Sequence, residues 1–109
     1  MSKRINWKKE VKRIPSKVLI DKKVNYDVVW QHDIIDTKGN HLCGLTDLDN
    51  KIIFIKIGMP ARLTIETYFH EIFHAWSHEH EINLTEPQVL AMEKIVPFLI
   101  RKDNILKEE

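Results

Sequence analysis

The sequence predicts an α+β fold: a small, mostly antiparallel sheet of three or four strands, followed by two antiparallel helices. Three observations carry this prediction. The first 60 residues alternate short β-branched and aromatic runs with turn signals. Gly58-Met59-Pro60 then breaks the pattern. Beyond it, apolar residues recur at helical spacing.

Each element has a local reason. Residues 5–13 form a short basic helix that Pro15 ends. Val18–Ile20 is a short strand candidate. Tyr26–His32 (YDVVWQH), rich in β-branched and aromatic side chains, is a longer one. Thr37–Asn40 turns around Gly39, His41–Thr46 is a weaker strand, and Asp47–Asn50 (DLDN) turns again. Lys51–Ile57 (KIIFIKI) is the strongest strand signal. Short links of this kind predict hairpins, hence antiparallel pairing. Thr64 is the expected N-cap of a helix over Ile65–His80, with Glu66 in its first turn. Ile65, Phe69, Ile72 and Trp76 make one apolar stripe that should pack on the sheet. After the short Asn83-Leu84 connection, Thr85 and Gln88 form a capping-box pattern, and Pro87 fits a first turn. Val89, Val96 and Ile100 share a face of this second helix, which Pro97 should kink or end early. A connection this short makes the two helices antiparallel neighbours. The expected organisation is one domain over 1–109: a basic arm (1–15), the sheet (16–58) and a helix pair (64–104).

Composition narrows the class. With 109 residues, 43% hydrophobic and 30% charged, the chain is long enough for one core and too apolar for disorder. No apolar run approaches the ~20 residues of a membrane span, and no apolar segment follows the basic start as in a secretory signal. The one cysteine, Cys43, excludes an internal disulfide framework and points to a reducing, cytoplasmic location. Cys43 itself reads as a small buried residue. The net charge of +1 hides a split: residues 1–23 hold nine Lys/Arg against Glu10 and Asp21, and the remaining 86 residues sum to −6. The basic segment is expected to be a solvated arm. Nucleic acid or an acidic surface is the partner that residues 3–23 would suit. A membrane partner is not expected.

The segment with chemical content is His70-Glu71-Ile72-Phe73-His74, an HExxH sequence inside the expected first helix. Residues four apart on a helix share a face, with Cβ atoms about 5–6 Å apart, so two imidazoles there can converge on one Zn²⁺. Glu71 projects beside the ion, where it can take a proton from water on the metal. On a helical wheel His70 and His74 lie opposite the Ile65/Phe69/Ile72/Trp76 stripe, so one face packs and the other points into a site.

A catalytic zinc needs a third protein ligand. Equal rise along two antiparallel helices brings residues 91–95 level with His70–His74, which favours Glu93. Glu93 also interrupts the apolar face Val89, Val96, Ile100, where an unpaired carboxylate is costly. Glu86, an acidic first-turn residue explained by the helix dipole alone, is the second choice. His78 continues the His70/His74 row, but three positions over eight residues span about 12 Å, too far for one ion. His78 and His80 are read as substrate-facing groups or as exposed histidines at a helix end. His32 and His41 are isolated.

On these residues the chain resembles a known family. The stretch TIETYFHEIFHAWSHEHEINLTEPQVLAMEKIVPFLI, with the strand-rich residues before it, is similar to small zincin-like metallopeptidases of phages and mobile elements. These are minimal gluzincins, distantly akin to ImmA/IrrE-type and SprT-like domains, and the resemblance covers about residues 16–104. It implies an HExxH helix on a small sheet whose edge strand holds an extended peptide. It implies His70 and His74 as zinc ligands, Glu71 as general base, a Glu of the next helix as third ligand, and the host cytoplasm as location. The chain departs from larger gluzincins in lacking an obvious Asp behind a ligand His and a C-terminal subdomain that closes the cleft. The expected activity is zinc-dependent peptide hydrolysis. The competing expectation is a non-catalytic zinc-binding or protein-interaction module, with nucleic-acid association through the basic arm as a weaker third.

Overall fold

A computed structural model describes residues 4–100. The elements are α1 (Trp7–Lys12), β1 (Lys17–Asp21), β2 (Val24–Gln31), β3 (Ile34–Ile35), β4 (His41–Leu42), β5 (Gly44–Asp47), β6 (Ile52–Lys56), α2 (Ala61–Glu79) and α3 (Glu86–Glu93). Residues 96–100 are helical again. The architecture is α+β, with a mostly antiparallel four-stranded sheet in the order β1-β2-β6-β5 and a separate β3–β4 pair.

Local chemistry explains the turns. Asp36 Oδ1 accepts from the Lys38 and Asn40 N–H groups at 2.9 and 2.8 Å, and Gly39 takes φ +85°, which reverses the chain between β3 and β4. Asp47 does the same for the β5–β6 hairpin, accepting from the Asn50 N–H at 3.0 Å. β1–β2 and β5–β6 pair antiparallel, as expected of hairpins. The central β2–β6 pair is parallel. The β3–β4 excursion carries the chain across the sheet, so β5 forms the far edge and β6 returns to the middle. β6 is the most apolar strand, and Ile53 and Ile55 are fully buried there. The expected strand over His41–Thr46 is divided at Cys43 between β4 and β5.

Helix α2 starts at Ala61, a turn before the expected N-cap. Thr64 lies inside it and donates its hydroxyl to the Pro60 carbonyl at 3.1 Å. The expected stripe meets the sheet in part: Phe69 and Ile72 pack against the sheet-side core, and Ile65 does not. Tyr68 and Ala75 join Tyr26, Val28, Ile53 and Ile55 in the sheet-side core. Ile65 instead packs with Val96 and Ile100, against Trp7 and Val11 of α1. Phe69 packs against both clusters and so joins the sheet side of α2 to its α1 side. Trp76 stays at the surface. The basic segment is therefore folded from Ile5 onward, not a loose arm. α1 docks through Trp7, over which the Arg62 guanidinium sits 5.4 Å from the ring centroid, while Lys8, Lys9 and Lys12 face outward. Met1–Lys3 of that segment and residues 101–104 of the expected helix pair lie outside the described residues.

α3 opens with the expected capping box, Thr85 Oγ1 accepting from the Gln88 N–H and Gln88 accepting from the Thr85 N–H. It ends at Glu93. Pro97 falls in the first turn of the next helical segment, where its missing N–H costs nothing. No described helix is long and apolar enough to cross a membrane.

One polar cluster fixes the far end of α2. The fully buried Tyr26 donates its phenol to Glu79 Oε2 at 2.7 Å, and Lys51 Nζ donates to the same oxygen at 2.8 Å. Burial, then the Glu79 carboxylate, pushes the Tyr26 phenol well above its ordinary range. Lys51, then Tyr26, holds the Glu79 carboxyl below its own. The C-terminal end of α2 is thus tied to β2 and to the β5–β6 turn.

Candidate metal centre

His70 and His74 lie one turn apart on α2, with ring centroids 4.8 Å apart and Nε2 atoms 3.1 Å apart. The Glu86 carboxylate closes on this pair from the first turn of α3. Its oxygens lie 2.6 Å from His74 Nε2 and 3.3 Å from His70 Nε2. Glu93, from the last turn of α3, meets the other side of the His70 ring and accepts a hydrogen bond from Nδ1. A carboxylate only accepts, so Nδ1 is the donor and Nε2 faces Glu86 and His74.

The two carboxylates weighed for the third position stand on different sides of His70. Glu86 stands with the two Nε2 atoms, and Glu93 stands behind His70. The reason is the helix connection. Glu81 takes φ +56° just beyond α2, and the Ile82 N–H returns to the Ser77 carbonyl at 2.8 Å. The Ser77 hydroxyl donates to the Ile82 carbonyl and accepts from the Leu84 N–H at 3.2 Å. The chain has therefore folded back along α2 before α3 begins, and the first turn of α3, not its last, comes level with His74. Glu93 therefore holds the His70 ring from its Nδ1 side. Such a carboxylate fixes tautomer and ring orientation.

Glu71 points to the sheet side of α2. It is 8% exposed. Thr46 on β5 donates its hydroxyl to Glu71 Oε1 at 2.9 Å, with the Glu71 carbonyl also in reach at 3.1 Å. Burial pushes the Glu71 carboxyl up, and the Thr46 hydrogen bond and both imidazoles oppose the rise only in part. At His70 burial disfavours the charge, but the Glu93 hydrogen bond and the charges of Glu71, Glu86 and Glu93 outweigh it, so its pKa is raised.

Gly44 sets how closely β5 approaches α2. A Cβ there would lie 2.6 Å from Thr67 Cγ2, 3.1 Å from Glu71 Cγ and 3.2 Å from the Phe54 carbonyl oxygen. Gly44→Ala is expected to push strand and helix apart and to cost about 1–3 kcal/mol, as overpacking does. A lower urea midpoint with an unchanged slope checks it, and an unchanged midpoint contradicts it.

The donor set fits zinc. A tetrahedral ion bound at ~2.0–2.1 Å spaces its donors roughly 3.3 Å apart. The separations here are 2.6 to 3.3 Å, and the three donors lie within 4.8 Å of one another. Two imidazoles and a carboxylate are a donor set that zinc uses, and one that other first-row divalent ions also accept. Of the other histidines, exposed His78 lines the hollow beside the centre. His80 turns away, its ring 4.8 Å from that of Trp76 and Nδ1 2.9 Å from the Trp76 carbonyl. His32 and His41 are exposed, and so is Cys43, which was expected to be buried. Thr46 and Gly44 carry no sequence motif. Their role depends on a contact between β5 and α2 across about 25 residues of chain. In comparisons with known proteins the chain matches no family model, no curated protein and no solved structure.

Proposed function

We propose that the chain is a zinc-dependent peptidase of minimal zincin type, acting in the cytoplasm. The observation that carries this reading is the convergence of His70 Nε2, His74 Nε2 and the Glu86 carboxylate beside the buried Glu71. His70, His74 and Glu86 would hold the ion, and three protein donors is the number a catalytic zinc site uses. Zinc, when bound, supplies a Lewis acid that lowers the pKa of water and polarises a carbonyl. Glu71 takes one proton from the attacking water as its oxygen joins the carbonyl carbon. It returns that proton to the leaving nitrogen as the peptide C–N bond breaks, giving a carboxylic acid and an amine. Thr46 holds the Glu71 carboxylate in place, and Glu93 holds the His70 ring. His78, at the rim, faces the substrate. An exposed lone cysteine suits a reducing compartment.

The test is metal content together with hydrolysis. The purified chain is expected to retain equimolar zinc and to cleave an unfolded protein such as casein. A chelator should stop cleavage and added zinc should restore it. Absence of zinc, or cleavage indifferent to chelation, overturns the reading.

A further inference from the structure

The surroundings of the centre carry information about the substrate. Beside it lies a hollow of about 630 Å³, within the ~300–1,000 Å³ of ligand-holding clefts. Leu45, Leu48, Ile82 and Leu84 give it an apolar part, Ser77, His78 and Asn83 a polar one, and His70, Glu71 and His74 also line it. A side chain seated there lies next to the reacting groups. A smaller hollow of about 280 Å³ lies on the other side of Glu71, lined by Leu63, Glu66 and Glu93 among others. Among the described residues no Lys or Arg lines either one.

β5 is an outer strand of the sheet, and among the described residues no strand pairs with its outward edge, which can take a further strand. β5 runs in the same direction as α2: Gly44 lies against Thr67, Thr46 against Glu71, and Leu48 shares the large hollow with Ser77 and His78. A strand added antiparallel, the more stable pairing per residue, runs the other way. Its amino-terminal half crosses the large apolar hollow, and its carboxy-terminal half crosses the Glu66 side.

Resting on the peptidase reading, we infer that the substrate is an extended peptide with a large apolar side chain just before the cleaved bond. That side chain sits in the Leu45–Leu48–Ile82–Leu84 hollow. Acidic side chains next to the bond are disfavoured, because the Glu86 and Glu93 carboxylates flank the centre and no described Lys or Arg lines either hollow; Glu66 itself pairs with Arg62 at 3.8 Å. Burying a Leu or Phe in place of Ala is worth roughly tenfold to a hundredfold.

The test uses quenched peptides that differ at one position (Leu, Phe, Ala, Lys or Glu), with products identified by mass spectrometry. The zinc-loaded full chain cleaves them, and their binding to wild type and to Glu71→Gln is followed by fluorescence anisotropy. Leu and Phe should exceed Ala by tenfold to a hundredfold, Glu should be poorest, and the cut should fall on the carboxyl side of the varied residue. Leu84→Lys should shift the preference toward Glu, and the milder Leu84→Ser should flatten it. Equal use of all peptides, or a cut on the amino side, overturns the inference while leaving the peptidase reading intact. The expected ranking in binding, with no peptide cleaved, supports the apolar seat and overturns the peptidase reading. Neither binding nor cleavage overturns both.

Discussion

Glu71→Gln is expected to leave zinc bound and to reduce peptide hydrolysis by about 10²–10⁴-fold, the usual contribution of a general acid–base. The substitution keeps shape and one acceptor oxygen, so Thr46 can still donate to the side chain at position 71. It removes only the ability to take up and return a proton. The fold should not suffer. Glu71 is 8% exposed and burial opposes its charge, so a neutral amide there is favoured by desolvation. The melting temperature should therefore match or exceed that of the wild type, and zinc content by elemental analysis should be equal. Loss of activity with metal and fold retained assigns the proton transfer to Glu71. Cleavage within tenfold of the wild type would mean that another group carries the proton, and the proposed mechanism would fall.

What the sequence made legible follows from the range of the interactions involved. Four-residue spacing on a helix is a local fact, so His70 and His74 were readable as a facing pair, and they do face each other. Thr85 and Gln88 are three residues apart, and their capping box formed as written. The strands were legible from β-branched runs bounded by Asp, Asn and Gly turns. The parallel β2–β6 pair was not, because it follows from where the β3–β4 excursion delivers the chain, which no local pattern encodes. The face of α2 that meets the sheet was legible in part. Phe69 and Ile72 of the apolar stripe do pack on the sheet-side core, but close packing also seated Tyr68 and Ala75 there and left Ile65 to α1, which hydrophobic spacing alone does not encode. Which side of the histidines each carboxylate meets turned on the backbone of one connection. Equal rise from the helix ends put Glu93 level with the histidines, and it does reach His70, from the Nδ1 side; the fold-back through Glu81, Ser77 and Leu84 brings Glu86 to the Nε2 side. A left-handed φ at a non-glycine residue leaves no trace in composition.

That difference sets up the second large effect. Glu86→Ala is expected to reduce zinc affinity by more than the ~10–100-fold typical of losing a carboxylate behind a ligand histidine. Glu93→Ala should fall inside that range. Stability should separate the two in the opposite sense. The Glu86 side chain is 60% exposed, so its removal should leave the metal-free melting temperature nearly unchanged. The Glu93 side chain is 17% exposed and holds the His70 ring. Removing it leaves a partly buried Nδ1–H without its acceptor, at a cost of about 1–3 kcal/mol, and frees the ring to change tautomer. Glu93→Gln keeps an acceptor for that N–H and should recover part of both losses, whereas Glu86→Gln, a neutral amide in place of an anionic donor, should recover little zinc affinity. Isothermal titration with zinc, paired with thermal melts of the metal-free proteins, reads both axes. The reverse pattern, with Glu93→Ala abolishing zinc binding and Glu86→Ala mild, would make Glu93 the donor. α3 would then have to turn about its axis to carry Glu93 from His70 Nδ1 to the Nε2 side, and the Ser77–Leu84 tether that now sets its register would have to break.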